Sequence, residues 1–339
     1  MSNPEQHLQK MNKHAKVLLS DSDNSPLAPN AKKRNIVFVV NPIAGHTNKD
    51  NFPYLVNKHI DKDRFNASIE FTREPGHATK IAAEAVSKGA DIVVAVGGDG
   101  TINEVSRCLI NSTAALGIIP SGSGNGLARH LHIPVNFEKA LQIINNGFIC
   151  TIDTAKINHE VFVSIAGVGF DALVAKLFAK DPHRGFLTYF KIVAARYPQY
   201  RPKKYKLILD DSKVIETEAL FIALANSNQF GYNTTIAPEA KLNDGLIDVC
   251  IVQKPYIFEM PIVINLLFLN MIHKSRYVEI HKAKKISLYR DKNRVVNLDG
   301  EPVKINQDLH IEIVPSSLNV IIANTLSHEE EKRRYRLFY

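Results

Sequence analysis

The run Val93-Val94-Ala95-Val96-Gly97-Gly98-Asp99-Gly100-Thr101-Ile102-Asn103-Glu104 constrains this chain more than any other stretch. It joins an apolar, β-branched segment to a glycine-rich turn, and the turn to a polar helix start. A buried strand that delivers a tight turn to a helix N-terminus presents backbone N–H groups to phosphate. Phosphate alone disfavours a carboxylate in the turn, so Asp99 predicts a metal ion or a hydroxyl proton close by. The pattern G-x-x-x-x-G-K-[ST] is absent, which excludes a P-loop. The reading is a nucleotide site with phosphoryl chemistry.

The same grammar extends to both sides. Ile36 to Val40 predicts a buried parallel strand ending in the turn Asn41-Pro42-Ile43-Ala44-Gly45, and Ala67 to Phe71 a second strand leading to Thr72. His77 to Lys88 has helical spacing, Asp91 to Val96 is the third strand, and Ala115 to Ile119 the fourth. Pro120-Ser121-Gly122-Ser123-Gly124-Asn125-Gly126 follows, then a helix from Leu127. Alternating strands and helices imply an α/β nucleotide-binding domain with a parallel sheet, whose three polar turns meet at the strands' C-terminal ends.

From Thr151 the pattern changes to short β-branched runs: Val161 to Ile165, Tyr205 to Leu209, Leu220 to Ala225, Ile247 to Val252, Lys285 to Leu288 and His310 to Val314. They predict a mainly antiparallel β-sandwich second domain. Helical inserts are expected at Asp171 to Lys180, Phe186 to Tyr197 and Phe258 to His273, and Leu318 to Ala323 reads as a strand returning to the first domain. The expected division is a flexible tail at 1–34, the α/β domain at 35–150, the sandwich at 151–315, and a return segment with a charged tail at 316–339.

The net charge of +8 attracts polyanions: nucleoside triphosphates, anionic membrane surfaces or nucleic acid. A nucleic-acid role rests on charge alone, since Trp is absent and no aromatic-basic interleaving occurs, so none is expected. Three cysteines without a C-x-x-C spacing suit a reducing, cytoplasmic setting. The N-terminus carries no apolar signal segment. Ile257 to Ile272 is apolar but too short and too interrupted to span a bilayer, which leaves peripheral membrane contact. A homodimer is left open.

Three further turns hold chemistry-bearing residues. Gly167-Val168-Gly169-Phe170-Asp171-Ala172 matches G-x-G-x-x-A, but no acidic residue lies between Asp181 and Asp210 to hold a ribose. It reads as a strand-to-helix turn presenting Asp171 to the cleft between domains. Lys241-Leu242-Asn243-Asp244-Gly245-Leu246-Ile247-Asp248 has the spacing of an oxygen-ligand cation loop but falls short of an EF-hand. Leu298-Asp299-Gly300-Glu301-Pro302 reads equally well as a plain hairpin turn or as a functional one.

Val96 to Val105 resembles the signature of the diacylglycerol kinase catalytic domain superfamily, which includes bacterial soluble lipid kinases and sphingosine kinases. Asn41-Pro42 with Gly45, Thr72 with Gly76-His77-Ala78, Pro120 to Asn125, Gly169-Phe170-Asp171, Asn243 to Asp248 and Asp299-Gly300-Glu301 follow in the family order, from about Asn35 to Ala323. The resemblance implies ATP and Mg²⁺, a lipid-binding sandwich and transfer in the interdomain cleft. It places Asn41, Pro42, Gly45, Thr72, Gly97, Gly98, Asp99, Gly100, Thr101, Ile102, Asn103, Glu104, Ser123, Gly124 and Asn125 around the nucleotide. Glu301 or Asp99 would accept the hydroxyl proton, Asp171 would contact the lipid, and Lys241, Asp244 and Leu246 would hold a structural magnesium. Gly126 departs from the acidic residue of many bacterial members. The expected activity is phosphorylation of a lipid hydroxyl, diacylglycerol-like or sphingoid. The alternatives are a kinase of a soluble acceptor such as NAD, whose kinases share the Gly-Gly-Asp-Gly core, and a non-catalytic lipid or nucleotide sensor.

Overall fold

The computed structural model describes residues 33–45, 49–183, 185–232, 234–292 and 294–324. The tail up to residue 32 and the terminal charge run lie outside the described residues. Strands β1 (Arg34–Val40), β2 (Phe65–Phe71), β3 (Ile92–Gly97) and β4 (Ala115–Pro120) lie in the order β2-β1-β3-β4, all parallel. Every residue of β3 and β4 is buried, as continuous apolar runs require when helices cover both faces. The helices are α1 (Phe52–His59), α2 (His77–Ser87), α3 (Asp99–Leu109), the five-residue α4 (Gly126–His130) and α5 (Phe137–Asn146).

The second part begins with β5 (Phe148–Ile157), β6 (Glu160–Phe162) and β7 (Ile165–Gly169). The single strand expected over Val161 to Ile165 is thus two. Between them the N–H groups of Val163 and Ser164 go to the Asp299 carboxylate instead of a ladder. Helices α6 (Phe170–Lys180) and α7 (Phe186–Arg196) follow, then β8 (Lys203–Leu209), β9 (Lys213–Ala219), β10 (Phe221–Ala225), β11 (Gln229–Gly231), β12 (Thr234–Thr235) and β13 (Ile247–Val252). The helix expected over Phe258 to His273 is α-helical only at α8 (Met260–Phe268), between 3₁₀ turns at Ile257–Glu259 and Ile272–Lys274. Pro261 fits its first turn, and Asn270, left-handed at φ 58°, lies just beyond its end. The chain then forms β14 (Val278–Ala283), β15 (Lys285–Arg290), β16 (Arg294–Leu298), β17 (Glu301–Ile305) and β18 (Leu309–Ile322).

The runs His310 to Val314 and Leu318 to Ala323 merge into the 14-residue β18, with a register shift between Val314 and Leu318. Its first half pairs antiparallel with β15, and its second half stands parallel to β4 at Val320↔Leu116. β5 accompanies it from Ile157↔Ile311 to Phe148↔Ile322. The parallel sheet and one layer of the sandwich are therefore a single ten-stranded sheet. The other layer has the order β14-β13-β10-β7-β16-β17, and Leu207, Ile222, Val249, Ile286 and Leu298 fill the space between. Residues 150 and 315, where domain boundaries were expected, lie inside β5 and β18.

Candidate active site

The loops after β1, β3 and β4 meet at the C-terminal edge of the parallel strands, and glycine lets them touch backbone to backbone. Gly45 has φ +70°, and a Cβ on it would lie 1.8 Å from the Ser121 carbonyl oxygen. A Cβ on Gly122 would lie 2.4 Å from the Gly98 Cα. Asn41 Nδ2 donates to Thr101 Oγ1 at 3.2 Å while its Oδ1 accepts from Ile43 N at 3.1 Å, so Asn41 shapes the Pro42 turn and ties it to α3. Thr72 N donates to Val40 O at 2.8 Å, which brings the end of β2 beside that turn. Ser123 Oγ accepts from Tyr232 OH at 2.8 Å, a Cβ on Gly231 would lie 3.0 Å from the Gly124 Cα, and one on Gly124 would lie 2.7 Å from Asp99 Oδ2.

Asp99 heads α3 and reaches across to the loop after β4. Its Oδ2 accepts from Asn125 N at 2.8 Å and its Oδ1 from Gly126 N at 2.7 Å. Removal from water pushes its pKa above the usual carboxylate range, and those two N–H groups oppose the shift. Asn125 is buried in the left-handed region at φ 55°. Its amide closes the loop on Gly122, accepting from the N–H at 3.0 Å and donating to the carbonyl at 2.7 Å. A Cβ on Gly126 would meet the Gln229 carbonyl oxygen at 2.9 Å, a physical reason for glycine at this position.

Glu301 arrives from the other end of the chain. Asp299 and Gly300, at φ 49° and 93°, make the two-residue turn between β16 and β17 that such dihedrals favour. The Asp299 carboxylate accepts from Val163 N at 2.7 Å, Ser164 N at 2.8 Å and Ile165 N at 2.9 Å, and from Asn103 Nδ2. One side chain thereby pins the hairpin both to β7 and to α3. Glu301, at the start of β17, is half-buried with its Oε1 2.7 Å from the place a Cβ on Gly100 would take. Burial, then the charge of Glu104, pushes its carboxyl upward, and the Arg107 guanidinium opposes the shift. The fold thus sets two raised carboxylates, Asp99 and Glu301, at the first turn of one helix.

Several residues expected near the nucleotide have their side chains committed elsewhere. Ile102 is 2% exposed in the core. Asn103 is held by Asp299. Glu104 accepts from Gly76 N and Ala78 N, both at 3.0 Å, and so caps α2. Asp171 was expected to face the cleft but is turned inward, where its Oδ2 accepts from Asn297 Nδ2 at 2.8 Å. A Cβ on Gly167 would lie 1.9 Å from the Asp171 carboxylate, so that glycine makes room for it. Burial holds the Asp171 carboxyl at about 6. The sequence reading missed Lys49, 3% exposed, whose ammonium donates to Ala44 O and whose pKa burial lowers. It also missed the anchoring role of Asp299. A lone lysine in a polar turn gives no signal, whereas Asp299-Gly300 gave one that a plain hairpin shares.

At the loop expected to hold magnesium through Asp244 and the backbone carbonyls of Lys241 and Leu246, a lysine ammonium already faces the carboxylate. Asp244 Oδ1 accepts from Leu246 N at 3.2 Å, and the Lys282 ammonium faces the other oxygen at 3.3 Å. Lys241, also expected there, lines the same depression as Asp244 and Lys282. Among the described residues no group of three or more His, Cys, Asp or Glu side chains is arranged to hold a metal.

Residues 35–157 match the diacylglycerol kinase catalytic domain, and residues 164–322 match the YegS C-terminal NAD kinase beta sandwich-like domain. A diacylglycerol kinase of Staphylococcus saprophyticus is 30% identical over 278 residues, covering 80% of this chain and 89% of that protein. One from Bacillus subtilis is 29% identical, covering 80% and 90%. A crystal structure of a diacylglycerol kinase from Bacillus anthracis is alike in fold, with TM-score 0.67 at 22% identity over 87% of this chain and 99% of that one. Glycine loops against Asp99, a hairpin carrying Glu301 and a sandwich on the same sheet are thus met in a chain whose two parts both match this family: it belongs to the diacylglycerol kinase and YegS-like lipid kinases, and it is a kinase.

Proposed function

We propose that the chain transfers the γ-phosphoryl group of ATP to a hydroxyl of a membrane lipid, with Mg²⁺ at the phosphates. The observation that carries this reading is the placement of the Glu301 carboxylate over Gly100, at the N-terminus that the glycine loops surround. The loops fit a polyphosphate because their glycines let the backbones after β1, β3 and β4 close on one another beside the N-terminus of α3, where an anion is favoured. Asp99 fits as the protein's carboxylate toward Mg²⁺. Each of its oxygens accepts one N–H and keeps a second lone pair, and Mg²⁺ commonly takes only one or two carboxylates beside substrate phosphates. When bound, ATP and Mg²⁺ supply the phosphoryl group and neutralise its charge.

The chain's own part is alignment and proton transfer. Glu301, raised in pKa by its surroundings, accepts the proton of the acceptor hydroxyl as that oxygen forms its bond to phosphorus. Asp299 and Asn103 hold the base to the helix that carries Asp99. A lipid acceptor is favoured over a soluble one by an apolar surface beside the sandwich. Phe186, Leu187 and Phe190 of α7 are 42%, 73% and 49% exposed, and Tyr256, Ile257 and Phe258 before α8 are 64%, 67% and 73% exposed. The two segments adjoin, since Tyr197 OH donates to Pro255 O. Exposed Lys191 and Arg196 on α7 suit anionic headgroups, so we place peripheral membrane contact here. Among the described residues no helix is long and apolar enough to cross a membrane.

The test is incorporation of labelled γ-phosphate across diacylglycerol, ceramide, a sphingoid base, undecaprenol and NAD. Label in one lipid class is the expected result. Label only in NAD overturns the lipid reading, and ATP binding without any incorporation identifies a sensor.

A further inference from the structure

The loop from Lys241 to Asp248 carries two carboxylates, and a lysine from a neighbouring strand sits between them. β13 and β14 pair with Asp248 directly opposite Lys282, so the two side chains share one face of the sheet. The Lys282 ammonium is 3.0 Å from Asp248 Oδ2, 3.3 Å from Asp244 Oδ2 and 3.4 Å from the Glu239 carbonyl oxygen. Asp248 is almost fully enclosed, with a side chain 2% exposed, so its charge requires a partner. From the inner side Asp153 holds the same loop. Its carboxylate accepts from Gly245 N at 2.8 Å and Ser316 N at 2.7 Å, and its own N–H donates to Leu242 O at 2.6 Å.

We propose that the Lys282 ammonium is the resident cation of this loop, taking the place of the divalent ion that the family resemblance implies at Lys241, Asp244 and Leu246, so that the sandwich keeps its fold without metal. An ammonium offers three donors and is met here by three oxygens, one from each carboxylate and one carbonyl. A divalent ion on Asp244 would stand next to that fixed positive charge and be repelled by it. Unlike a bound ion, a lysine cannot be removed by chelation, and its own chain holds it at the site. The inference concerns the loop alone and does not depend on the acceptor or on the nucleotide.

The test is thermal unfolding of the full-length protein without nucleotide, in EDTA and in millimolar Mg²⁺ or Ca²⁺ at matched ionic strength. The wild type is expected to unfold within about 1 °C in all three. Lys282→Met, which keeps the apolar stem, should unfold several degrees lower in EDTA and recover saturably with Mg²⁺. Lys282→Arg should remain indifferent to metal. A Lys282→Met protein as stable as wild type in EDTA overturns the proposal. Should that variant not fold, Mn²⁺ titration of nucleotide-free wild type decides. Absence of a site sensitive to Asp244→Asn supports the proposal, and one bound Mn²⁺ lost on Asp244→Asn overturns it.

Discussion

For Glu301, proposed as the base, the upward shift of the carboxyl defines a test. A general base acts only when deprotonated, so kcat/KM should fall as pH drops through a value above the ordinary glutamate range. Glu301→Gln should lower kcat by about 10²-fold or more, remove that acid limb and leave KM for ATP nearly unchanged. Steady-state rates across pH check all three. Asp99→Asn, by contrast, should raise the Mg²⁺ needed for half-maximal rate, which a magnesium titration at fixed ATP reads out. Asp171 makes a stability prediction of the opposite sense. Its carboxyl sits at about 6 in the fold against an ordinary 3.8, so the stability it contributes is full below the ordinary value and lost as pH rises through the folded one. Asp171→Asn keeps an oxygen for Asn297, and should be nearly neutral at about pH 4 and stabilising by about 2–3 kcal/mol at about pH 8. Urea unfolding at the two pH values measures it. The glycine turn around Asp99 was legible in the sequence because a strand, three glycines and a helix start are local. Asp299 was not, because its four donors come from residues 103 and 163–165, far away in the chain.

At the scale of elements, α7 is unusual in burying none of its residues, while α6 beneath it is capped by a positive-φ glycine and packs Phe170 and Val174 into a small core. A helix that leaves Leu187 and Phe190 in water has its apolar surface available to a partner. Replacing both by Ser should weaken sedimentation with anionic vesicles by about tenfold or more without lowering the melting temperature. An unchanged vesicle affinity would show that another surface carries the contact. The amphipathic and buried runs of the parallel half were readable because each strand carries its own periodicity, and β13 was matched residue for residue. The strands β6 and β7 were misread as one because the interruption at Val163 and Ser164 comes from a distant carboxylate. β9 and β14 were missed for a related reason: Lys213, Glu216 and Glu218 in one and Glu279 and Lys282 in the other give them a polar surface that resembles loop.

For the whole molecule, the shared ten-stranded sheet predicts joint unfolding of the two parts. A single calorimetric transition, with calorimetric and van't Hoff enthalpies in agreement, is expected, and two resolved transitions would contradict it. The sequence suggested a return of the last strand to the first domain, but not that the same strand also serves the sandwich. The bulge between Val314 and Leu318 hides the continuity by breaking the alternation.

The Asp299 anchor also bears on the geometry of the site. Asp99 heads a helix laid on the ten-stranded sheet, whereas Glu301 stands on the six-stranded layer. Asp299, two residues before Glu301, holds both Asn103 of that helix and the N–H groups of Val163, Ser164 and Ile165. One buried carboxylate thus acts as a rivet between the two layers, and it sets Asp99 and Glu301 in register.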